Sequence, residues 1–308
     1  MFDLVGLGNP VYDVIVTPWA RSEGRVLSGC STNACLAAKR LGIGRVGLIG
    51  RVGKDFERRF LFEMKRNGIE TFLDSSSGET GGFHLTYDER GNRTLDVLGI
   101  AGKISRENFP EKFLNTKFIL IGPILGEVDI ELIEFIRSSS KAKLFLDPQG
   151  LVRVVGRKRR VIHRCYREQF GRIVELTDFV KPNEHESVTI TGKKDPVAAL
   201  HTLQEFGSAV PIITLAERGS ILLLEDEILK IPAFNTRAID PTGAGDVYAG
   251  AFITEYLHIR KIGEAALFAS AAASLMVEQI GPEFEMSVES VKHREKAISA
   301  GLSRQMSG

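Results

Sequence analysis

Asp240-Pro241-Thr242-Gly243-Ala244-Gly245-Asp246-Val247-Tyr248-Ala249-Gly250-Ala251-Phe252 puts proline and glycines first, then small and apolar residues at helical spacing. That order reads as a tight loop entering a helix near Ala244. Gly243 and Gly245 let the backbone turn with its N–H groups exposed. A helix start with free N–H groups and a favourable dipole is an anion site, suited to a phosphate or a developing phosphoryl charge. Asp246 is the odd member, because a carboxylate repels an anion held beside it. It makes sense as a general base that takes a proton from an attacking hydroxyl. It makes equal sense, on local chemistry alone, as an acidic residue capping the first turn.

Outward from this stretch, short apolar runs alternate with longer amphipathic ones. Phe2–Leu7, Val46–Ile49, Phe118–Ile121, Leu144–Leu146, Phe179–Val180 and Ile212–Leu215 read as buried strands. Asn33–Leu41, Phe56–Asn67, Asp129–Ser138, Pro196–Phe206 and Ala244–His258 read as helices. Such alternation predicts β-α-β units, a parallel sheet and an α/β fold. Two places break it. Gly82–Tyr87 and Arg93–Val97 flank Asp88-Glu89-Arg90-Gly91-Asn92, the pattern of an antiparallel hairpin, and Thr17–Val26 is an irregular insertion. Together they are expected to form a small lid from about residues 14–28 and 80–98 of one domain spanning 1–308.

The 308 residues are 43% hydrophobic and 26% charged, ordinary for a globular chain and unlike a disordered one. Forty basic against thirty-nine acidic residues leave a formal charge of +1, which argues against a dedicated nucleic-acid binder. No apolar run approaches the ~20 residues of a membrane helix. Cys30, Cys35 and Cys165 are too scattered for a disulfide framework or a zinc site. The N-terminus lacks a basic leader, so a cytoplasmic protein is expected. The basic run Arg153, Arg157, Lys158, Arg159, Arg160, Arg164, Arg167 reads as a solvated loop and helix face, ahead of a nucleic-acid patch or a role in holding a substrate or nucleotide phosphate. There is no G-x-x-x-x-G-K-[ST]. Gly6-Leu7-Gly8-Asn9-Pro10-Val11 only imitates a dinucleotide fingerprint, since Val11 stands at its third glycine, so a nicotinamide-dependent oxidoreductase is disfavoured.

Asp240–Asp246 resembles the C-terminal signature of the ribokinase-like family, the phosphofructokinase B-type carbohydrate kinases. Further blocks are similar in the family's order. They are Gly8 with Asp13, Gly29-Cys30-Ser31-Thr32-Asn33, Val46–Asp55, Asn183-Glu184-His185-Glu186 (the N-x-x-E motif) and Thr214-Leu215-Ala216-Glu217-Arg218-Gly219. The resemblance runs from residue 2 to about 285. It departs at Ser28, where the family has the first glycine of a pair, and at Ala216, where a glycine is common. The segment Asp13–Leu27 is short beside ribokinase.

The resemblance implies a three-layer α/β/α sandwich with a mostly parallel central sheet and a small β lid, and an ATP-dependent kinase. Asp246 is then the base, with Gly243, Ala244 and Gly245 as the anion hole. Asp13, Gly29 and Asn33 hold the acceptor. Asn183, Thr214, Gly219 and Thr242 bind the nucleotide, and Glu186 serves Mg2+. A monovalent cation and a homodimer also come with the family. Locally, Asn33 and Asn183 also read as helix caps, Asp13 as a strand-end turn and Glu186 as a surface carboxylate, and His185 reads as a surface residue. With Asp147-Pro148-Gln149-Gly150-Leu151-Val152-Arg153 after a strand, the short lid resembles archaeal inositol and sugar kinases. The expected acceptor is therefore a small polyhydroxylated sugar, polyol or cyclitol such as myo-inositol. A nucleoside kinase, with Tyr12 or Trp19 clamping the base, is the alternative. A non-catalytic sugar or nucleotide sensor gains nothing from Asp246.

Overall fold

The structure, a computed structural model, describes residues 1–74, 78–89, 91–207, 210–281 and 284–306. The chain begins β1 (Phe2–Leu7), β2 (Val11–Val16), β3 (Val26–Ser28), α1 (Cys30–Arg40), β4 (Val46–Arg51), α2 (Glu57–Arg66), β5 (Ile69–Asp74), β6 (Gly82–Tyr87) and β7 (Arg93–Gly99). It continues through β8 (Thr116–Ile121), α3 (Ile130–Ser139), β9 (Lys143–Leu146), β10 (Arg153–Val155), β11 (Val161–His163), α4 (Arg167–Glu175) and β12 (Phe179–Val180). The last part holds α5 (Glu184–Thr191), α6 (Pro196–Glu205), β13 (Val210–Thr214), β14 (Ser220–Leu224), β15 (Glu227–Ile231), α7 (Ala244–Ile259), α8 (Ile262–Met276) and α9 (Val288–Met306).

Nine strands make the central sheet in the order β15-β14-β13-β12-β9-β8-β1-β4-β5. From β13 to β5 every pairing is parallel, and β14 and β15 close one edge antiparallel. Alternate strand residues face opposite cores, as a period of two requires. Leu4, Leu48, Leu120 and Phe145 pack with α1, α2, α7 and α8 on one face. Val5, Ile49, Ile121 and Leu146 pack with α3, α4 and α6 on the other. The result is the expected three-layer α/β architecture.

The chain leaves β1 toward β4 and β5 on one side and later fills β8, β9 and β12 on the other. A ligand crevice at the carboxyl ends of open parallel sheets belongs at such a reversal. Over that end lies a separate four-stranded sheet, β3-β2-β6-β7. The expected hairpin is β6–β7, although Arg90 of its turn lies outside the described residues. The inner face of this small sheet, with Val11, Ile15, Phe83, Leu85 and Tyr87, packs on Cys30 and Ile124.

The basic run is built differently from the expectation. Arg153 to Arg160 belong to the hairpin β10–β11, tied to the small sheet by the Asp96–Arg160 ion pair at 2.9 Å, while Arg164 follows it in a loop and Arg167 opens α4. Arg157, Lys158, Arg159, Arg160, Arg164 and Arg167 are exposed as expected, but Arg153 is only 5% exposed.

Candidate active site

Helix caps show how the site is left open. Asp129 caps α3 by accepting from Leu132 N–H, and Asp195 caps α6 by accepting from Ala198 N–H. Gly243 starts α7 at φ +83 with no side-chain cap among the described residues. Only glycine adopts that turn without strain, and it leaves the first N–H groups of α7 facing outward. The preceding loop is pinned by buried Asp240, which accepts from Thr242 N–H at 2.9 Å and from Gly281 N–H at 3.3 Å.

Asp246, the third residue of α7, is not a cap. Its Oδ2 accepts from Asn33 Nδ2 at 2.9 Å and its Oδ1 from Gln149 Nε2 at 3.1 Å. Gly250 makes the first of these bonds geometrically available. A Cβ there would lie 2.2 Å from the Ala34 carbonyl oxygen, so α7 and α1 meet backbone to backbone. Asn33, inside α1 rather than at its cap, is thereby placed beside Gly243 and Asp246. Burial, then the neighbouring Asp147 carboxylate, raises the Asp246 carboxyl above its ordinary range.

Lys181 and Asp147 form an ion pair of 2.8 Å directly behind the loop, each side chain 3% exposed. A Cβ on Gly245 would lie 3.3 Å from Lys181 Nζ, so the ammonium borders the start of α7. Burial opposes that charge, but the Asp147 carboxylate outweighs burial and keeps Lys181 firmly protonated. The sequence reading missed Lys181. Its only signal was a lysine directly after a buried strand.

Asp13 is buried on β2 and accepts from Phe83 N–H at 2.7 Å and from the Ser28 hydroxyl. Ser28 thus stands in place of a glycine with work to do for Asp13. Burial raises the Asp13 carboxyl to about 6 against these bonds. Gly29 precedes α1, and its carbonyl accepts from Asn33 N–H at 2.8 Å.

Asn183 does cap a helix. It and Glu186 form a reciprocal box at the start of α5, with bonds of 2.8 and 3.0 Å. Glu186 is buried rather than on the surface, and its Oε1 has no hydrogen bond among the described residues. Burial, then Asp147, raises its carboxyl. Asn183 bridges to Thr214 at the end of β13. There Leu215 N–H reaches the Gly219 carbonyl at 2.7 Å, and Ala216 adopts φ +53, so the left-handed turn survives without glycine. Thr242 Oγ1 meets the Tyr87 hydroxyl at 2.9 Å, which joins the small sheet to the Asp240–Asp246 loop. His185 is exposed as expected, though it stacks edge-on against His163.

A hard cation held partly through water suits the buried, half-used carboxylate of Glu186. Cys30, Asp147 and Asp246 also approach within 4.8 Å of one another, but Lys181 occupies Asp147. Burial, then Asp147, raises the Cys30 thiol, so a soft-metal centre does not fit.

A family model described as "pfkB family carbohydrate kinase" matches residues 20–288. The chain belongs to the pfkB family of carbohydrate kinases. It is an ATP-dependent sugar or nucleoside kinase, and kinases of that family use ATP with Mg2+. A cytidine kinase of Thermococcus kodakarensis is 29% identical, over 86% of this chain and 92% of the relative. A ribokinase of Lactococcus lactis is 25% identical, over 97% of this chain and 96% of the relative. A pyrophosphate-dependent ribokinase-family kinase, solved with a pyrophosphate analogue and myo-inositol, superposes with a TM-score of 0.81. Its identity is 22%, over 94% of this chain and 99% of that one. That likeness bears on the pfkB fold alone. Among the described residues no helix is long and apolar enough to cross a membrane.

Proposed function

We propose that the chain transfers the γ-phosphoryl group of ATP to a hydroxyl of a small sugar, polyol or cyclitol, with Asp246 as the base. The observation that carries this reading is the setting of Asp246. Two amide donors, Asn33 and Gln149, hold its carboxylate over the uncapped start of α7. The acceptor hydroxyl gives its proton to Asp246 and its oxygen bonds the γ-phosphorus. The bond from that phosphorus to the bridging oxygen breaks, and ADP leaves. The N–H groups of Gly243 to Gly245 and the Lys181 ammonium offset the developing charge. Glu186 is the residue that would hold Mg2+, partly through water, and the ion would supply charge neutralisation at the ATP phosphates. Asn183, Thr214, Gly219 and Thr242 line the donor side.

Asp13, Gly29 and Asn33 belong to the acceptor side, because carboxylate and amide groups together grip neighbouring hydroxyls. Asp13→Ala is expected to raise acceptor KM by roughly ten- to a hundred-fold, the cost of about 1.5–3 kcal/mol for a bond to a charged group. ATP KM should stay within threefold. Initial rates at varied acceptor and varied ATP check this, and a rise confined to ATP would reverse the two halves of the site.

Tyr12 and Trp19 favour a small acceptor over a nucleoside. Tyr12 is buried away from the site, stacked on Phe56 at 4.2 Å with its hydroxyl on Glu63. Trp19 is 61% exposed, with the Arg237 guanidinium 5.4 Å from its ring centroid. Neither residue is set to clamp a base. The similarity to cytidine kinase supports the second reading, a nucleoside kinase. A panel of acceptors separates them. Inositol and simple sugars are expected to exceed guanosine, inosine and cytidine in kcat/KM at least tenfold, about 1.4 kcal/mol of transition-state binding. The small sheet should close over the acceptor and exclude water. Since Trp19 is the single tryptophan of the chain, its fluorescence should change with the true acceptor and little with ATP alone. A nucleoside as best acceptor would overturn the substrate class and leave the base untouched.

A further inference from the structure

Two guanidinium groups in the crevice have no part in the reaction so far. Arg153 leads β10, a few residues beyond the Asp147–Gln149 turn whose Gln149 holds Asp246. It is 5% exposed, yet among the described residues Nε has no hydrogen-bond partner. Nη1 reaches the Ile124 carbonyl at 3.4 Å, and the guanidinium carbon lies 5.8 Å from the Phe83 ring centroid. Arg93 opens β7 of the small sheet, directly across from Tyr87, whose hydroxyl touches Thr242.

The two cations repel each other. After burial, the largest influence on Arg153 is repulsion from Arg93, and both also feel the charges of Glu186 and Asp246. A buried, under-satisfied guanidinium beside a second one is costly without an anion between them. Planar guanidinium donors match phosphate oxygens two at a time. The anion that the reaction brings between Asp246 and Glu186 is the transferring phosphoryl group. We infer that Arg93 and Arg153 form a guanidinium clamp on that phosphoryl group, opposite the start of α7, and are catalytic residues. The inference rests on the proposed placement of the transfer site. In the clamp, the equatorial oxygens of the phosphoryl group accept from the two arginines. Meanwhile the acceptor oxygen bonds phosphorus, the ADP oxygen departs and the proton passes to Asp246. A loosely bonded phosphoryl group spreads its charge over those oxygens, where fixed donors are worth most.

Calorimetry on the full chain tests this without knowledge of the acceptor. Titrations use Mg·ADP alone and Mg·ADP with aluminium fluoride, a planar mimic of the phosphoryl group in flight. The wild type should bind the fluoride complex at least tenfold more tightly. Arg153→Gln and Arg93→Gln should each bind Mg·ADP within threefold of wild type and lose at least tenfold of the fluoride gain. Free guanidinium ion should restore part of it. Arg153→Lys keeps the charge without the fork. It should lose at least threefold, and it carries the test if the glutamine variant fails to fold. An undiminished fluoride gain in the folded variants would overturn the clamp. So would, in steady-state rates with the best acceptor of the panel, a loss confined to acceptor KM, which would assign the arginines to the acceptor. A wild-type chain that binds Mg·ADP and gains nothing from fluoride would overturn the placement of the transfer site, and the clamp with it.

Discussion

Asp246→Asn is expected to lower kcat by ~10²–10⁴-fold while Mg·ATP affinity and folding change little. The substitution is nearly isosteric. It leaves one of the two amide donors facing an amide N–H, but Asn33 and Gln149 can each turn to present their oxygen instead. The structural cost is therefore about one hydrogen bond, roughly 1 kcal/mol. What disappears is the proton acceptor. The pH profile separates the two effects. Asp246 accepts a proton only when ionised, and burial together with Asp147 holds its proton more tightly than an ordinary carboxylate would. Wild-type kcat should therefore fall, as pH drops, through a value above the usual carboxylate range. The residual turnover of Asp246→Asn should lack that limb. Steady-state rates across pH decide it, and near-wild-type turnover by the variant would sink the base assignment.

The strands of the inner sheet were legible because they are unbroken apolar runs buried on both faces, such as Phe118–Ile121. The antiparallel edge was not. Its hairpin turns through Glu225 and Asp226, both left-handed at φ +50 and +69, without the glycine that usually marks such a turn. The glycine-rich loop of α7 was legible because backbone geometry selects those residues locally. The partners of Asp246 could not be derived from local spacing. Asn33 lies 213 positions away and arrives only because Gly250 admits the Ala34 carbonyl. Glu186 looked like a solvated helix carboxylate because its burial is set by the packing of α5 against β13, not by its local spacing. Charged side chains were the hardest to place. Arg153 heads a run of exposed basic residues from which sequence alone cannot separate it, and Lys181 is buried only because Asp147 comes from a different strand.

Lys181→Met should be the most destabilising of these substitutions, because it strands the Asp147 carboxylate in the interior. Removing one partner of a buried ion pair costs about 3–5 kcal/mol, most of it the penalty of an uncompensated charge. Urea unfolding should show that loss, and a change below about 1 kcal/mol would mean that water already reaches the pair. The double variant Lys181→Met/Asp147→Leu should recover most of the stability, since apolar residues of similar volume replace a buried pair at little cost. It should not recover turnover, because the ammonium borders Gly245, at the proposed phosphate position, as well as Asp147. The Asp147 charge also raises the Asp246 carboxyl. The single variant leaves that charge unneutralised, so its acid limb should move to higher pH. The double variant removes the charge, so its limb should move below that of the wild type. Opposite shifts of this kind would show that the pair sets the proton affinity of the base. A limb that stays fixed in both variants would confine Lys181 and Asp147 to holding the fold.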